Sequence, residues 1–230
     1  MEINLESLIK DLAIRAGSFV RSKVNDMGYR QILKRGGSTD VSRRIDLEVE
    51  DLIIKGGIEE EGLRAVISTE ERGGVIKVGD GEPEYAFVID PLDGSLNFVL
   101  GIPFYSISIA AGKYGNPLRF SDLTDGVVYY VAKDVLYYGG SGGGVEFRGG
   151  DDLGDLSEDI DRPVISLYLE PDADERLLQG LRAIYDKFSR FKIRSLGAAS
   201  LEMVMASLVG SSPSWTSGTG LGYLMSPVLT

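Results

Sequence analysis

Tyr85-Ala-Phe-Val-Ile-Asp-Pro-Leu-Asp-Gly-Ser-Leu-Asn-Phe98 decides how this chain is read. Ala86 to Ile89 is a short apolar run of the kind that forms a buried strand. The run ends at Asp90, and Pro91 behind it has no N–H to give to a sheet ladder. Asp93 follows, then Gly94 and Ser95. Two carboxylates thus leave a strand end on a tight turn, beside backbone N–H groups that a glycine frees. Hard divalent cations take oxygen ligands of this sort. Phosphate takes such N–H groups.

A second acidic element lies upstream. Ala65-Val66-Ile67-Ser68-Thr69 is another strand candidate, and Glu70-Glu71 follows it. If the two strands share a sheet, Glu70, Asp90 and Asp93 converge at their carboxyl ends, where open α/β sheets bind ligands. Two carboxylates ~5 Å apart at an effective dielectric of ~20 repel by roughly 3 kcal/mol. A bound Mg²⁺ or Mn²⁺ reverses that sign. Taken singly, Glu70-Glu71 reads as a solvated turn and Asp90-Pro91 as a strand stop. Taken together, with Gly94-Ser95 attached, they read as a site.

Composition narrows the chemistry. The chain has 230 residues, of which 43% are hydrophobic, and a formal net charge of -11. That suits one large domain or two small ones with a sizeable core. The acidic balance argues against nucleic acid and anionic membrane as partners, since both are met by basic surfaces. There is no cysteine and no histidine. Disulfides, thiol chemistry, serine triads and most zinc sites drop out. Metal-assisted hydrolysis survives, because carboxylates can hold the metal. No apolar run is long enough for a membrane span. The opening Met1-Glu-Ile-Asn-Leu-Glu6 lacks the basic start of a signal peptide, so the expected location is the cytoplasm.

Along the chain, Asn4 is placed to cap a helix carrying Leu5, Leu8, Ile9, Leu12, Ala13, Ala16, Phe19 and Val20, with Gly28 beyond its end. Lys34 to Thr39 reads as a polar loop. Asp40 is expected to cap a second helix, striped by Val41, Ile45, Val49, Leu52 and Ile53 and stopped by Gly56-Gly57. Strands are expected at Ser106 to Ala111, Gly126 to Val131 and Val135 to Tyr138. Gly139 to Gly144 lacks the Lys-Ser/Thr of a P-loop and reads as a hairpin turn. Arg148 to Arg162 divides the chain into residues 1–150 and 151–230. Beyond it, Val164 to Leu169 is a strand, Asp172 to Phe188 a helix, Phe191 to Ser195 a strand and Ala198 to Val209 a helix. Alternating elements mean α/β. Arg190, Lys192 and Arg194 alternate and share one strand face. They either bind a distal phosphate or guard a solvated edge strand.

Asp90-Pro-Leu-Asp-Gly-Ser-Leu-Asn-Phe98 resembles the first signature of the inositol monophosphatase family, including its archaeal inositol monophosphatase/fructose-1,6-bisphosphatase type. Asp40-Val-Ser-Arg-Arg-Ile-Asp46 resembles a further stretch of that family. The resemblance runs from the first helix to about Gly210. It implies a layered αβαβα sandwich of the sugar-phosphatase type, and a Mg²⁺-dependent, Li⁺-inhibited phosphatase in which Mn²⁺ can replace Mg²⁺. By resemblance, Glu70, Asp90 and the Leu92 carbonyl hold one metal. Asp90 and Asp93 hold a second, and Gly36-Gly37 forms a loop near a third. Gly94 and Ser95 present N–H groups to the phosphate. Asp46 with Ser95 orients and deprotonates the attacking water, with Glu71 as the other candidate base. Gly197-Ala198-Ala199 resembles the family's turn at the substrate; a plain helix start is the alternative. The implied substrate is a small phosphorylated sugar or polyol, inositol monophosphate or fructose 1,6-bisphosphate, with 3′-phosphoadenosine nucleotides as an alternative. An aspartyl-phosphate route through Asp90 fits this spacing less well than metal-assisted attack by water.

The resemblance breaks after Gly210. A second signature, whose Asp completes the second metal site, is missing. Ser211 to Thr230 holds no acid, base or helical period. A frameshift accounts for such a tail, because codons for Ser212 to Leu229 admit another frame that resembles the missing motif. The tail is therefore expected to lack native packing, leaving the final helix partly uncovered and favouring a homodimer. The competing reading is a catalytically impaired copy that keeps the fold and acts as a binding protein.

Overall fold

The structure, a computed structural model, describes residues 3–26, 29, 32–34, 41–141, 143, 145–149, 164–168, 175–187, 191–210 and 222–223. It divides into two units. The first comprises Met1–Gly150 with Gly197–Leu201, the second Asp151–Leu196 with Glu202–Thr230.

In the first unit, α1 spans Leu5–Lys23. The Asn4 side chain accepts the Ser7 N–H at 3.0 Å and satisfies one of the donors a helix start leaves open. Ile9, Leu12, Ala13, Ala16 and Val20 are buried along one stripe, as their spacing dictates. A short antiparallel pair follows, β1 (Ile32–Lys34) and β2 (Val41–Arg43). Helix α2 then runs from Arg44 to Ile53. The expected helix from Asp40 therefore begins later, because residues 41–43 pair as a strand. Asp40, Gly28, Gly36 and Gly37 lie outside the described residues. Gly56-Gly57 does not stop the helix either. The chain widens into π-helical turns over Ile54–Glu59. Ile54 and Ile58 are both buried there, and that apolar gain carries the helix through two poor helix formers.

A seven-stranded mixed sheet makes the body of this unit. Its strands are β3 (Ala65–Thr69), β4 (Gly74–Val78), β5 (Tyr85–Asp93), β6 (Ser106–Lys113), β7 (Leu123–Tyr130), β8 (Val135–Gly140) and β9 (Val145–Arg148). The spatial order is β4-β3-β5-β6-β7-β8-β9. Only β3 and β5 are parallel neighbours; the other pairs are antiparallel. Ile67, Phe87, Ile89, Ile107, Ile109, Val127 and Tyr129 are buried on this sheet and join the α1 and α2 stripes in one core. Each such side chain contributes roughly 1.5–3 kcal/mol on burial. Gly139 pairs with Val145 across the β8–β9 hairpin, in keeping with the turn read there.

Strand β5 was expected to end at Asp90, yet it continues to Asp93. Asp90 pairs with Ser108 and Asp93 with Ser106, so β5 carries one extra residue across this interval. Pro91 sits in that bulge, where a missing N–H costs no ladder bond. A six-residue helix, α3 (Ser95–Leu100), follows directly.

In the second unit, β10 (Val164–Ser166) lies between β11 (Lys192–Arg194) and β12 (Gly222–Tyr223), parallel to both. Helix α4 spans Glu175–Lys187 and α5 spans Ala199–Gly210, the first turn of α5 belonging with the first unit. Two residues of the tail, Gly222 and Tyr223, pair with Ile165 and Ser166, because backbone pairing needs no side-chain period. The rest of the tail lies outside the described residues. Glu202 is buried and accepts from the Ser166 hydroxyl, from the Tyr168 hydroxyl at 2.5 Å and from the Leu196 N–H at 2.8 Å. No helix among the described residues is long and apolar enough to cross a membrane.

Candidate active site

The parallel register of β3 and β5 runs from Ala65↔Tyr85 to Thr69↔Ile89. One step further on lie Glu70, just past the end of β3, and Asp90, still within the neighbouring parallel strand β5. Period-2 burial selects this register, because a one-residue slip would turn Ile67, Phe87 and Ile89 away from the core.

The electrostatics of Asp90 follow from that placement. Its carboxyl is held well above the usual carboxylate range, chiefly by burial, then by the charges of Asp93 and Glu70; Asp46 adds to this. The Leu92 N–H donates to Asp90 Oδ1 at 3.2 Å and pulls the other way. That bond also folds the turn around Pro91 and fixes the Leu92 peptide. Helix α2 brings Asp46 and Glu50, one turn apart and both buried. Arg72 pairs with Glu50 at 2.9 Å and also with Asp51. The Glu70-Glu71-Arg72 turn is thereby tied to α2, with Glu71 half-buried in it. Thr69, just before the turn, has a buried hydroxyl with no hydrogen-bond partner among the described residues.

Asp93 meets different surroundings. Its carboxylate accepts the N–H of Ala199 at 3.1 Å, the N–H of Ser200 at 2.7 Å and the Ser200 hydroxyl. Burial still raises its proton affinity, against the pull of those donors. Gly94 adopts φ +82°, a conformation that favours glycine. A Cβ there would lie 2.8 Å from the Gly197 carbonyl oxygen and 3.0 Å from the Ala198 Cβ. The phosphate-type turn and the Gly197-Ala198-Ala199 segment are thus packed backbone to backbone. Asn97 anchors the far side, donating to the Phe104 carbonyl at 2.7 Å. Ser95 opens α3 directly after Gly94.

The structure thus brings Asp46, Glu70, Glu71, Asp90, Leu92, Asp93, Gly94, Ser95 and residues 197–199 into one unit. Lys192 and Arg194 belong to the second unit, exposed on β11, and Arg190 lies outside the described residues. The charges of both Asp93 and Glu70 act on Asp90, while the hydrogen bonds at Asp93 direct its carboxylate at the start of α5. The pair Glu70 and Asp90 does suit a hard cation. Its donors are oxygens, and the charges crowding Asp90 call for a positive neighbour. Glu50, Arg72, Ser106 and Ser200 escaped the sequence reading. Only Glu50 left a trace, four residues after Asp46 and so on the same helix face.

Comparison with solved structures defines the class. An extragenic suppressor protein suhB from Bartonella henselae superposes with a TM-score of 0.67 at 23% identity, over 86% of this chain and 72% of that one. The shared fold is the layered α/β sandwich. The chain belongs to the inositol monophosphatase family, whose model matches residues 4–208. A bifunctional NADP phosphatase/NAD kinase from Methanococcus maripaludis is 32% identical over 187 residues, 75% of this chain and 32% of that protein. A fructose-1,6-bisphosphatase from Pyrococcus furiosus is 31% identical over 173 residues, 75% of this chain and 59% of that protein. The chain therefore spans only about a third and about three-fifths of the lengths of these two relatives.

Proposed function

We propose that this chain is a metal-dependent phosphate-monoester hydrolase acting on inositol monophosphate, fructose 1,6-bisphosphate or both. The observation that carries the reading is the β3–β5 register, which sets Glu70 beside Asp90 next to the Gly94-Ser95 turn. Mg²⁺, or Mn²⁺ in its place, would be held by Glu70, Asp90 and the Leu92 carbonyl and would supply charge neutralisation and water activation. The residues do the rest. Gly94 and Ser95 seat the phosphate against their backbone N–H groups. Asp46 and the Ser95 hydroxyl orient the attacking water and take its proton, with Glu71 as the second candidate base. The Gly197-Ala198-Ala199 segment bounds the pocket on the sugar side. The proposed setting is a cytoplasmic homodimer.

A second substrate reading has its own support. The Methanococcus relative is named as an NADP phosphatase, which favours a phosphate on a nucleotide ribose as substrate. Phosphate release should be measured with Mg²⁺ on inositol 1-phosphate, fructose 1,6-bisphosphate, NADP and adenosine 3′,5′-bisphosphate. Loss of turnover on chelation and inhibition by Li⁺ are expected with the true substrate. No release from any of the four, by protein that binds Mn²⁺, would replace the hydrolase with a binding protein of the same fold.

A further inference from the structure

The end of the sheet opposite Asp90 carries groups that the proposed reaction does not use. Asp90 pairs with Ser108, whereas Tyr85, at the start of β5, pairs with Lys113. Five residue steps at ~3.3 Å put roughly 17 Å between the two ends. The connection from β6 to β7 lies there and closes in a single 3₁₀ turn, Phe120–Asp122. It is braced from several sides. The Tyr114 N–H donates to the Glu84 carbonyl at 2.9 Å, and the Asp122 N–H to the Arg119 carbonyl at 3.0 Å. The Asp122 carboxylate accepts the Arg119 N–H at 2.7 Å. A Cβ on Gly112 would collide with the Asp122 carbonyl, and one on Gly115 with its carboxylate. Yet the braced turn leaves Phe120 87% exposed and Leu118 40%. Burial of a phenylalanine is among the larger apolar gains open to a fold, and it is not taken here. Beside it opens a cleft of about 540 Å³, whose walls include Ile3, Leu5, Glu6, Lys113, Asp122 and Asp125.

The charge around this apolar pair has one sign in excess. Glu6, Asp122 and Asp125 line the cleft against Lys113 and, on the turn itself, Arg119. The loop before β5, joined to the turn through Glu84, adds exposed Asp80, Glu82 and Glu84, the last paired with Arg64. Two copies of the chain meeting through this face would set like charges opposite each other, in a chain whose formal net charge is already -11. Nucleic acid and anionic lipid are repelled in the same way. A protein segment that places Lys or Arg beside an apolar side chain is complementary on both counts. We propose that Leu118, Phe120 and the acidic cleft beside them form a docking surface for a basic segment of another protein. An aromatic or aliphatic side chain of that segment packs on Phe120, while its Lys or Arg side chains meet Glu6 and Asp125. A braced loop loses little freedom on binding, and an aromatic anchor on such a loop is where binding energy concentrates. The surface lies away from Glu70 and Asp90 and does not depend on the metal-dependent reading.

Fluorescence anisotropy of a labelled octapeptide that alternates Arg with Trp and Leu, titrated with the full chain, tests the surface. Phe120→Ser is expected to weaken the peptide about tenfold, the scale of an aromatic anchor at an interface. Glu6→Gln is expected to weaken it about threefold, as for an exposed charge pair. Leu100→Ser, which removes a 62% exposed apolar side chain on α3, should bind as the unaltered chain does. The same peptide with Glu in place of Arg should not bind. Equal losses in Phe120→Ser and Leu100→Ser, or binding of the Glu peptide, would overturn the proposal. So would no binding of the Arg peptide at any concentration up to ~1 mM, the weak end of specific association. Should Phe120→Ser not fold, Leu118→Ser must weaken the peptide, and if it does not the proposal fails. A smaller sedimenting species for Phe120→Ser than for the unaltered chain would also overturn it, by making this face an interface between copies.

Discussion

The end of β5 and the start of α5 treat two carboxylates of one short motif in opposite ways. Asp90 receives one backbone N–H and otherwise faces negative charge. Asp93, three residues on, receives two N–H groups and a hydroxyl from the 199–200 segment. Both are drawn from the same strand, and burial raises the proton affinity of both. What differs is the neighbour: a parallel strand carrying Glu70 in one case, a helix start in the other. Asp90 is crowded by its own sign, whereas Asp93 is met by the donors of a helix start.

The largest effect that tests this contrast is on catalysis. Asp90→Asn removes the crowded charge and is expected to cut Mg²⁺-dependent phosphate release by about 10³-fold, as for loss of one electrostatic element of a site. Circular dichroism of the variant should be unchanged. Residual activity near the unaltered level would show that Asp90 is no ligand.

Gly94→Ala attacks the joint between the two regions. The new Cβ would meet the Gly197 carbonyl oxygen at 2.8 Å at a residue with φ +82°. A cost of about 3 kcal/mol in urea unfolding is expected, from the strained conformation and the clash. A cost under ~1 kcal/mol would mean that the 197–199 segment yields easily and does not share a rigid seat with the turn.

Arg72→Ala probes the Asp90 side. It removes the Arg72 ion pair from Glu50, which is fully buried. Arg72 is itself about a third exposed, so the loss is set below that of a wholly buried pair, at about 2 kcal/mol. Calorimetry should show it, together with weaker Mn²⁺ binding if the Glu70-Glu71 turn loosens.

The smallest effect is a slope. Asp90 binds its proton more tightly folded than unfolded, where the ordinary value is 3.8. As pH rises from that value through the raised one, the unfolded chain gives up its proton first. Metal-free stability is therefore expected to fall across this window. Asp93 acts with the same sign. Asp90→Asn should flatten the slope and Mg²⁺ should offset it. A rise in metal-free stability over the same range would contradict the crowded-carboxylate account.

Much of this was legible from residue order alone, and for a local reason. Period and punctuation write α1, β3 and β5 directly: the stripe from Ile9 to Val20, the alternation in Ala65–Thr69 and the Asn4 cap are short-range facts. The same holds for Gly94, whose positive φ only glycine accepts readily. Other features needed the third dimension. That Gly56-Gly57 would not stop α2 depended on a core waiting for Ile54 and Ile58. That β5 would pass Pro91 depended on a partner strand one residue shorter over the same interval. The partnership of Asp93 with Ala199 and Ser200 spans more than a hundred residues, and neither end signals the other. Residue order decided which groups this protein carries to the site and on what local turns. Which of two identical carboxylates faces charge and which caps a helix was decided only by tertiary packing. The reason is that a carboxylate's character is set by the donors and charges within a few ångströms, and those come from distant parts of the chain.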